Sequence, residues 1–166
     1  MLALSESMPE EKVPMTVKGK RALDEELKQL MTVERPTVVK AIEIARGHGD
    51  LKENADYSAA KERQSFIEGR IQEINSKLAR AQVIDPSTIK SEKVVFGAII
   101  VVEDQETNKQ TQYQIVGVDE ADIKIGKISI TSPTARAMIG KSPGDEAVVN
   151  APKGEVRYDI IKVRYE

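Results

Sequence analysis

The sequence contains no cysteine, no tryptophan and a single histidine, and aromatic residues make up only 4% of its 166 residues. Without cysteine there can be no disulfide framework, zinc finger, iron–sulfur cluster or thiol nucleophile. A single histidine also excludes a metal site built from several histidines. Because aromatic side chains are so scarce, a stacking platform for nucleic-acid bases is not expected.

Long apolar stretches and an excess of one charge are also absent. The longest apolar run, residues 94–102, is interrupted by Gly97 and is far shorter than the roughly 20 residues of a membrane-spanning helix. The first fifteen residues hold three glutamates and no apolar segment typical of a signal peptide. We therefore expect a cytoplasmic protein. The net charge of −2 does not predict binding to duplex DNA, so any nucleic acid would be contacted through a local patch.

Regular apolar spacing is the clearest positive signal. From residue 60 to residue 81, the seam positions recur at alternating steps of four and three residues. This spacing indicates the a/d seam of a coiled-coil helix with a polar outer face. The outward positions are Glu62, Arg63, Glu68, Arg70, Gln72, Glu73, Lys77 and Arg80.

A second seam precedes the first, running from Leu23 to Ala45, with Thr16 as a plausible N-cap. One extra step of four residues near Glu34 is a stutter, and Pro36 lies in the same stretch. A stutter unwinds the supercoil locally, and proline removes a helical hydrogen bond. We expect helices at about 17–45 and 56–83, each roughly 42 Å long.

Residues 46–55 connect the two helices and contain two glycines that permit a reversal. Equal helices with facing seams and a short connector predict an antiparallel α-helical hairpin with the connector at its tip. We assign residues 1–13 to an extension that we expect to be disordered, 14–85 to the hairpin and 86–166 to a second domain. The fold class is therefore α+β.

Residues 86–166 show β-branched runs separated by turn residues and predict a compact, antiparallel β-rich domain. A one-residue phase shift between Ile160 and Ile161 predicts a β-bulge. Ser132, Pro133 and Gly140 suit the cap, first position and end of a short helix. The candidate strands are 94–103, 109–118, 127–130, 146–150 and 155–165.

Two acidic residues at the tip, Asp50 and Glu53, are three positions apart. If a helical turn continued there, both carboxylates would project from one side. Such a pair suits Mg²⁺, although two carboxylates alone would not hold the ion tightly. The spacing is common, and from spacing alone these acids are better explained as polar loop residues. His48, between two glycines, is better explained as a turn residue than as a ligand.

Basic residues near the tip, and the short helix of the second domain, have two explanations each. Either a phosphate-binding cluster or a solvated coiled-coil face would be formed by Arg46, Lys52, Lys61 and Arg63. The short helix with Arg136 could be a docking surface, although a plain crossover that covers the sheet is the preferred explanation.

Several segments along the chain form a recognisable series. The most specific is the tip sequence Gly49-Asp50-Leu51-Lys52-Glu53-Asn54-Ala55-Asp56-Tyr57. The others are Pro14-Met15-Thr16, the Phe66–Ile71 segment, and the segments around Ser132 and Arg136. Together, in this order, they closely resemble the bacterial Gre transcript-cleavage factors and are similar to the GreA type of that family. The resemblance covers residues 14–166.

This resemblance implies a function. Gre factors bind RNA polymerase through an FKBP-like C-terminal domain and insert the coiled coil into the secondary channel. Asp50 and Glu53 match the two tip acids that are thought to help hold a second Mg²⁺ and to position the attacking water. Cleavage of backtracked nascent RNA then restores the 3′ end to the polymerase active site. The protein would itself be no enzyme, would bind no cofactor alone and would act as a monomer.

The resemblance also assigns the remaining site residues. Arg46, Lys52 and Lys61 lie where the family carries basic residues that face the extruded RNA, and Ser132, Pro133 and Arg136 are the docking candidates. Position 61 is Lys where many members have Arg, which keeps the charge but loses bidentate phosphate contact. The alternative function is a regulator that occupies the channel without promoting cleavage, and a prolyl isomerase is a more distant third.

Overall fold

The computed structural model describes residues 11–166. Two compact units are present: a hairpin unit, Lys20–Arg80, and a sheet unit formed by residues 11–19 together with Ala81–Glu166. Residues 1–10 of the expected extension lie outside the described residues. Its last residue, Val13, begins a strand. Within residues 11–166, no helix is both long and apolar enough to cross a membrane.

The hairpin is built from helices whose boundaries differ slightly from those expected. The first helix is continuous but passes through a π-helical segment, Leu30–Glu34, which ends two residues before Pro36. The Arg35 backbone N–H donates to the Leu30 carbonyl, so the helix has a wide turn in the stretch where the stutter and Pro36 lie. The helices are α1 (Val17–Gln29), α2 (Arg35–Arg46) and α3 (Ala55–Arg80).

The two predicted seams form the interface between the helices of the hairpin. On the return helix, Gln64 and Leu78 are half-buried and complete the seam towards its ends. Burying these side chains is the main source of stability for a pair of helices that have polar outer faces. The fully buried seam residues are Leu23, Leu30, Val38, Ile42 and Ala45 on one side and Ala60, Ile67, Ile71 and Ile74 on the other.

Two outward positions, Glu68 and Arg70, were expected on a solvated outer face, but both form ion pairs with the facing helix. The Arg70 guanidinium donates to both carboxylate oxygens of Glu26, at 2.6 and 2.8 Å, and Arg35 does the same to Glu68, at 2.8 and 2.9 Å. The Arg70 hydrogen bonds hold the pKa of Glu26 below its ordinary value. These bidentate pairs flank the seam and connect the two sides of the hairpin.

The sheet unit contains a mixed sheet rather than a purely antiparallel one. The strands are β1 (Val13–Thr16), β2 (Ala81–Ile84), β3 (Ile99–Asp104), β4 (Gln110–Val116), β5 (Lys127–Ser129), β6 (Glu146–Ala151) and β7 (Gly154–Arg164). The strand order of the mixed sheet is β5-β4-β3-β7-β6, and the β4–β5 pair is parallel while the others are antiparallel. A second, two-stranded parallel sheet joins β1 to β2.

Strand β2 corrects the expected end of the return helix at residue 83. The helix stops at Arg80, and the next four residues pair in register with β1. Consequently, residues 81–85 belong to the sheet unit rather than to the hairpin.

Strand β3 begins later than expected, at Ile99 rather than at residue 94. Gly97 has a φ of +89°, and a β-carbon there would lie 3.0 Å from the Pro86 ring. The chain therefore turns before the strand, while Val94 is anchored by backbone hydrogen bonds to Gly140 and Lys141.

The phase shift in β7 is a bulge, as predicted. Val101 pairs with Lys162 and Val102 pairs with Ile160, so Ile161 is the extra residue. Ile160 is buried in the core, whereas Ile161 is exposed. The bulge therefore returns the following apolar residues, beginning with Val163, to the core side.

A short helix, α4 (Pro133–Met138), covers the core of the sheet unit. The Ser132 hydroxyl accepts a hydrogen bond from the Ala135 N–H, which confirms the predicted cap. Ala135 and Met138 are fully buried against the sheet. The other buried core residues are Val94, Phe96, Ala98, Ile100, Val102, Ile115, Ile128, Ala147 and Ile160.

The end of β1 is fixed by a polar cluster that the sequence analysis missed. Glu120 accepts hydrogen bonds from the Thr16 N–H (3.0 Å), the Thr16 hydroxyl and the Gly117 N–H (2.9 Å). The Thr16 hydroxyl also accepts from the Gly19 N–H at 3.1 Å, so Thr16 caps α1 as predicted. A side chain at Gly19 would collide with Glu120.

Candidate functional site

The tip of the hairpin begins where α2 tightens at its end. His48 and Gly49 donate backbone hydrogen bonds to the carbonyls of Ala45 and Arg46, at 3.1 and 3.2 Å. Gly49 then adopts a φ of +95°, and a β-carbon there would meet nothing within 4 Å. The need for glycine at this position is therefore conformational rather than a matter of space.

Asn54 connects the two sides of the tip. Its side-chain amide nitrogen donates to the Ala45 carbonyl at 2.7 Å, and its side-chain oxygen accepts from the Tyr57 N–H at 3.0 Å. The first bond reaches the end of α2 and the second caps the start of α3. Sequence reasoning missed this role, although an asparagine just before a helix is a recognisable N-cap signal.

Asp50 and Glu53 lie in a non-helical loop, so the helical turn considered for the tip is not formed. Asp50 instead accepts a hydrogen bond from the Lys52 N–H at 3.0 Å, which is an Asx turn. Both acids are exposed and line the same shallow depression of about 380 Å³. The loop conformation, rather than helical spacing, thus brings the two acidic residues to one depression.

His48 and Asp56 also line this depression. The imidazole Nδ1 lies 3.8 Å from an Asp56 carboxylate oxygen, and both side chains are largely exposed. This separation is too long for a hydrogen bond. His48 occupies the turn that follows α2.

The carboxylate oxygens of Asp50 and Glu53 are the type of ligand that Mg²⁺ prefers, but two carboxylates are too few to hold the ion alone. Carboxylate oxygens are its preferred protein ligands, and it usually takes one or two of them beside water and phosphate oxygens. Across residues 11–166, no group of three or more His, Cys, Asp or Glu side chains is placed to hold a metal ion. Asp50 and Glu53 could therefore contribute to a Mg²⁺ site whose other ligands come from elsewhere.

The predicted basic residues lie in the tip loop or in the helices next to it. Arg46, Lys52 and Lys61 are all exposed, and Lys61 donates to the side-chain oxygen of Gln64 at 3.2 Å. Arg63, the fourth basic residue near the tip, instead forms an ion pair with Glu34 at 2.6 Å.

The docking candidates lie on α4 of the sheet unit. Ser132 is half-buried, because its hydroxyl caps the helix, while Pro133 and Arg136 are exposed. The buried face of α4 holds these exposed residues in fixed positions on the sheet.

Two family models match consecutive parts of the chain. Residues 13–83 match "Transcription elongation factor, N-terminal", and residues 89–165 match "Transcription elongation factor, GreA/GreB, C-term". The chain belongs to the GreA/GreB family of transcription elongation factors. The first match contains the hairpin and its tip, and the second contains the five-stranded sheet and α4.

Individual relatives extend over nearly the whole chain. Transcription elongation factor GreA of Phenylobacterium zucineum is 59% identical over 155 residues, which cover 93% of this chain and 99% of that protein. GreA of Halorhodospira halophila is 58% identical over 156 residues, with coverage of 93% and 99%. Among solved structures, GreA factor homolog 1 of Thermus thermophilus is 23% identical, with coverage of 93% and 99% and a TM-score of 0.43.

Proposed function

We propose that this chain binds bacterial RNA polymerase through the secondary channel and stimulates the polymerase's own Mg²⁺-dependent cleavage of backtracked nascent RNA. The observation that carries the proposal is that Asp50 and Glu53, both exposed, line one depression in the loop that connects the two sides of the helical hairpin. The relatives named GreA agree with it. Such a factor would act as a monomer in the bacterial cytoplasm.

In this proposal the chain contributes ligands to a Mg²⁺ site on the polymerase and acts as a cofactor protein. Asp50 and Glu53 provide oxygen donors that suit Mg²⁺ but are too few to hold it alone. When bound, Mg²⁺ supplies stabilisation of the attacking and leaving oxygens in phosphodiester hydrolysis. The polymerase would supply the remaining ligands and the RNA 3′ end, and this chain would supply the two carboxylates.

The construction of the hairpin suits delivery of these carboxylates over a distance. The 26 residues of α3 span about 39 Å at the usual rise per residue. A buried seam and two bidentate ion pairs hold the helices together. A rigid support is what two side chains need if they are to meet a reacting phosphate in one geometry.

The surrounding charges suit the substrate. Arg46, Lys52 and Lys61 are exposed near the tip and would face the phosphates of the extruded RNA. Ser132, Pro133 and Arg136 would form part of the docking surface on the polymerase. In this proposal, docking, reach and chemistry are supplied by different parts of one chain.

A cleavage assay on stalled elongation complexes tests the proposal. We expect the wild type to accelerate RNA cleavage, and Asp50→Asn or Glu53→Gln to lower the accelerated rate roughly 100-fold, since removing one preorganised charged group commonly costs that much. The matched control is Glu62→Gln, an exposed acid on α3. A wild type that binds the polymerase without accelerating cleavage would favour the non-catalytic regulator and would contradict the proposal.

A further inference from the structure

Asn54 differs from the rest of the tip loop in being half-buried, while Asp50, Lys52 and Glu53 are exposed. It is also the residue at the tip whose side chain makes hydrogen bonds to both helices, among the contacts described for residues 11–166. Its backbone carbonyl accepts the first helical hydrogen bond of α3, from the Ser58 N–H at 3.1 Å. The residue therefore contacts both ends of the loop that carries the acids.

The two side-chain hydrogen bonds of Asn54 require different chemistry. Capping α3 through the Tyr57 N–H requires only an acceptor, which Asp, Ser or Thr would also provide. Reaching the Ala45 carbonyl at 2.7 Å requires a donor on the same side chain. An asparagine amide supplies both groups, whereas an aspartate carboxylate is acceptor-only at neutral pH.

The hydrogen bond from Asn54 to Ala45 ends on a residue that is buried between the helices. Ala45 is 2% exposed and belongs to the seam, and its carbonyl also accepts the His48 N–H. The loop is thus pinned to a part of the hairpin that cannot move without opening the core. Because Glu53 directly precedes Asn54, the pin lies one residue from one of the two acids.

We infer that Asn54 is a positioning residue for the tip acids: its amide bridges α2 and α3 and holds the loop that presents Asp50 and Glu53. This inference rests on the proposed function for its activity readout, but its geometric part concerns the free chain alone. A capping residue without the donor would leave α3 intact and the loop less restrained.

Three variants separate the bridge from the cap. Asn54→Ala removes both hydrogen bonds. Asn54→Asp keeps an acceptor for the Tyr57 N–H and has no donor for Ala45. Asn54→Ser also keeps an acceptor, and its hydroxyl lies one atom nearer the backbone than the amide nitrogen that reaches Ala45. The matched control is Asn75→Ala, which removes an exposed asparagine from α3. Circular dichroism of each full-length variant checks that the helices are retained.

The activity assay on stalled elongation complexes measures two quantities separately: the protein concentration that gives half-maximal stimulation, and the maximal rate of RNA cleavage. We expect all three variants to reach half-maximal stimulation at wild-type concentrations, within about twofold, and to lower the maximal cleavage rate roughly tenfold or more, because small misplacements of reacting groups are costly. More Mg²⁺ should be needed for half of that maximal rate. The Asn75→Ala control should match the wild type in all three quantities.

A second readout uses the free protein. Backbone NMR relaxation of residues 48–53 should report larger motion in Asn54→Ser than in the wild type, with α3 unchanged. Wild-type behaviour of Asn54→Ser in both rate and relaxation would show that only the cap matters and would overturn the inference. If the wild type itself fails to stimulate cleavage, the proposed function fails, while the relaxation data still decide whether Asn54 restrains the loop.

Discussion

Glu120 illustrates how one residue can stabilise contacts between segments that are far apart in the sequence. Its carboxylate accepts from two groups of Thr16 and from the Gly117 N–H, and Thr16 is 4% exposed. Each donor would lose its partner if the carboxylate were removed. An unpaired buried donor costs roughly 1–3 kcal/mol.

We therefore expect Glu120→Ala to lower the free energy of unfolding by about 2 kcal/mol, measured by urea denaturation. Glu120→Gln should lose less, because its amide oxygen can still accept. The control is Glu106→Ala, an exposed acid in the turn after β3. Equal stability of Glu120→Ala and the control would show that the cluster contributes nothing to folding.

Single residues at the tip also show what sequence can and cannot predict. Asp50 and Glu53 are identifiable because the motif around them is specific, and their expected position at a hairpin tip follows from the helical periods on either side. The bridge made by Asn54 could not be predicted, since it depends on how closely the loop returns to the Ala45 carbonyl. That distance is set by folding of the whole hairpin.

At the scale of elements, the helices were predictable and the small parallel sheet was not. The seams follow a strong period, and the stutter and Pro36 indicate an irregularity in the first helix, although not the wide turn that it takes. Strands β1 and β2 are only four residues each and have no apolar alternation across β2. Their pairing links residues 13–16 to 81–84, which no local pattern can indicate.

The ion pair between Glu26 and Arg70 predicts how the hairpin responds to acid. The pKa of Glu26 is lower in the folded chain than its ordinary value of 4.5, chiefly because Arg70 donates to its carboxylate. Unfolded chains therefore bind this proton more readily than folded ones. The stabilisation is present above about pH 4.5 and is lost as the pH falls through the folded-state pKa.

We expect Glu26→Gln to lose less stability than the wild type between pH 7 and pH 3, by roughly 0.5–1 kcal/mol for a partly exposed pair. Thermal unfolding at both pH values measures the difference. Glu25→Gln, at a neighbouring exposed position, is the control and should behave like the wild type. An identical loss of stability in Glu26→Gln would mean that the ion pair contributes nothing to folding.

At the scale of the whole molecule, the chain folds into two compact units, and the proposed function gives each a separate role. The sheet unit is formed by both ends of the described chain and carries α4, and the hairpin unit is inserted between them and carries the acids. Under the proposed function, the small net charge of −2 fits a protein whose partner binds the nucleic acid. Removal of the tip carboxylates should therefore abolish the stimulation of RNA cleavage without abolishing binding to the polymerase.

A competition assay tests this separation most directly. Full-length Asp50→Asn is added in increasing excess to stalled elongation complexes that hold a fixed amount of wild-type protein, and the rate of RNA cleavage is measured. The account predicts that the variant displaces the wild type, so that the rate falls in proportion to its share of the total and returns to the unstimulated value. A rate that stays at the wild-type value would contradict the account.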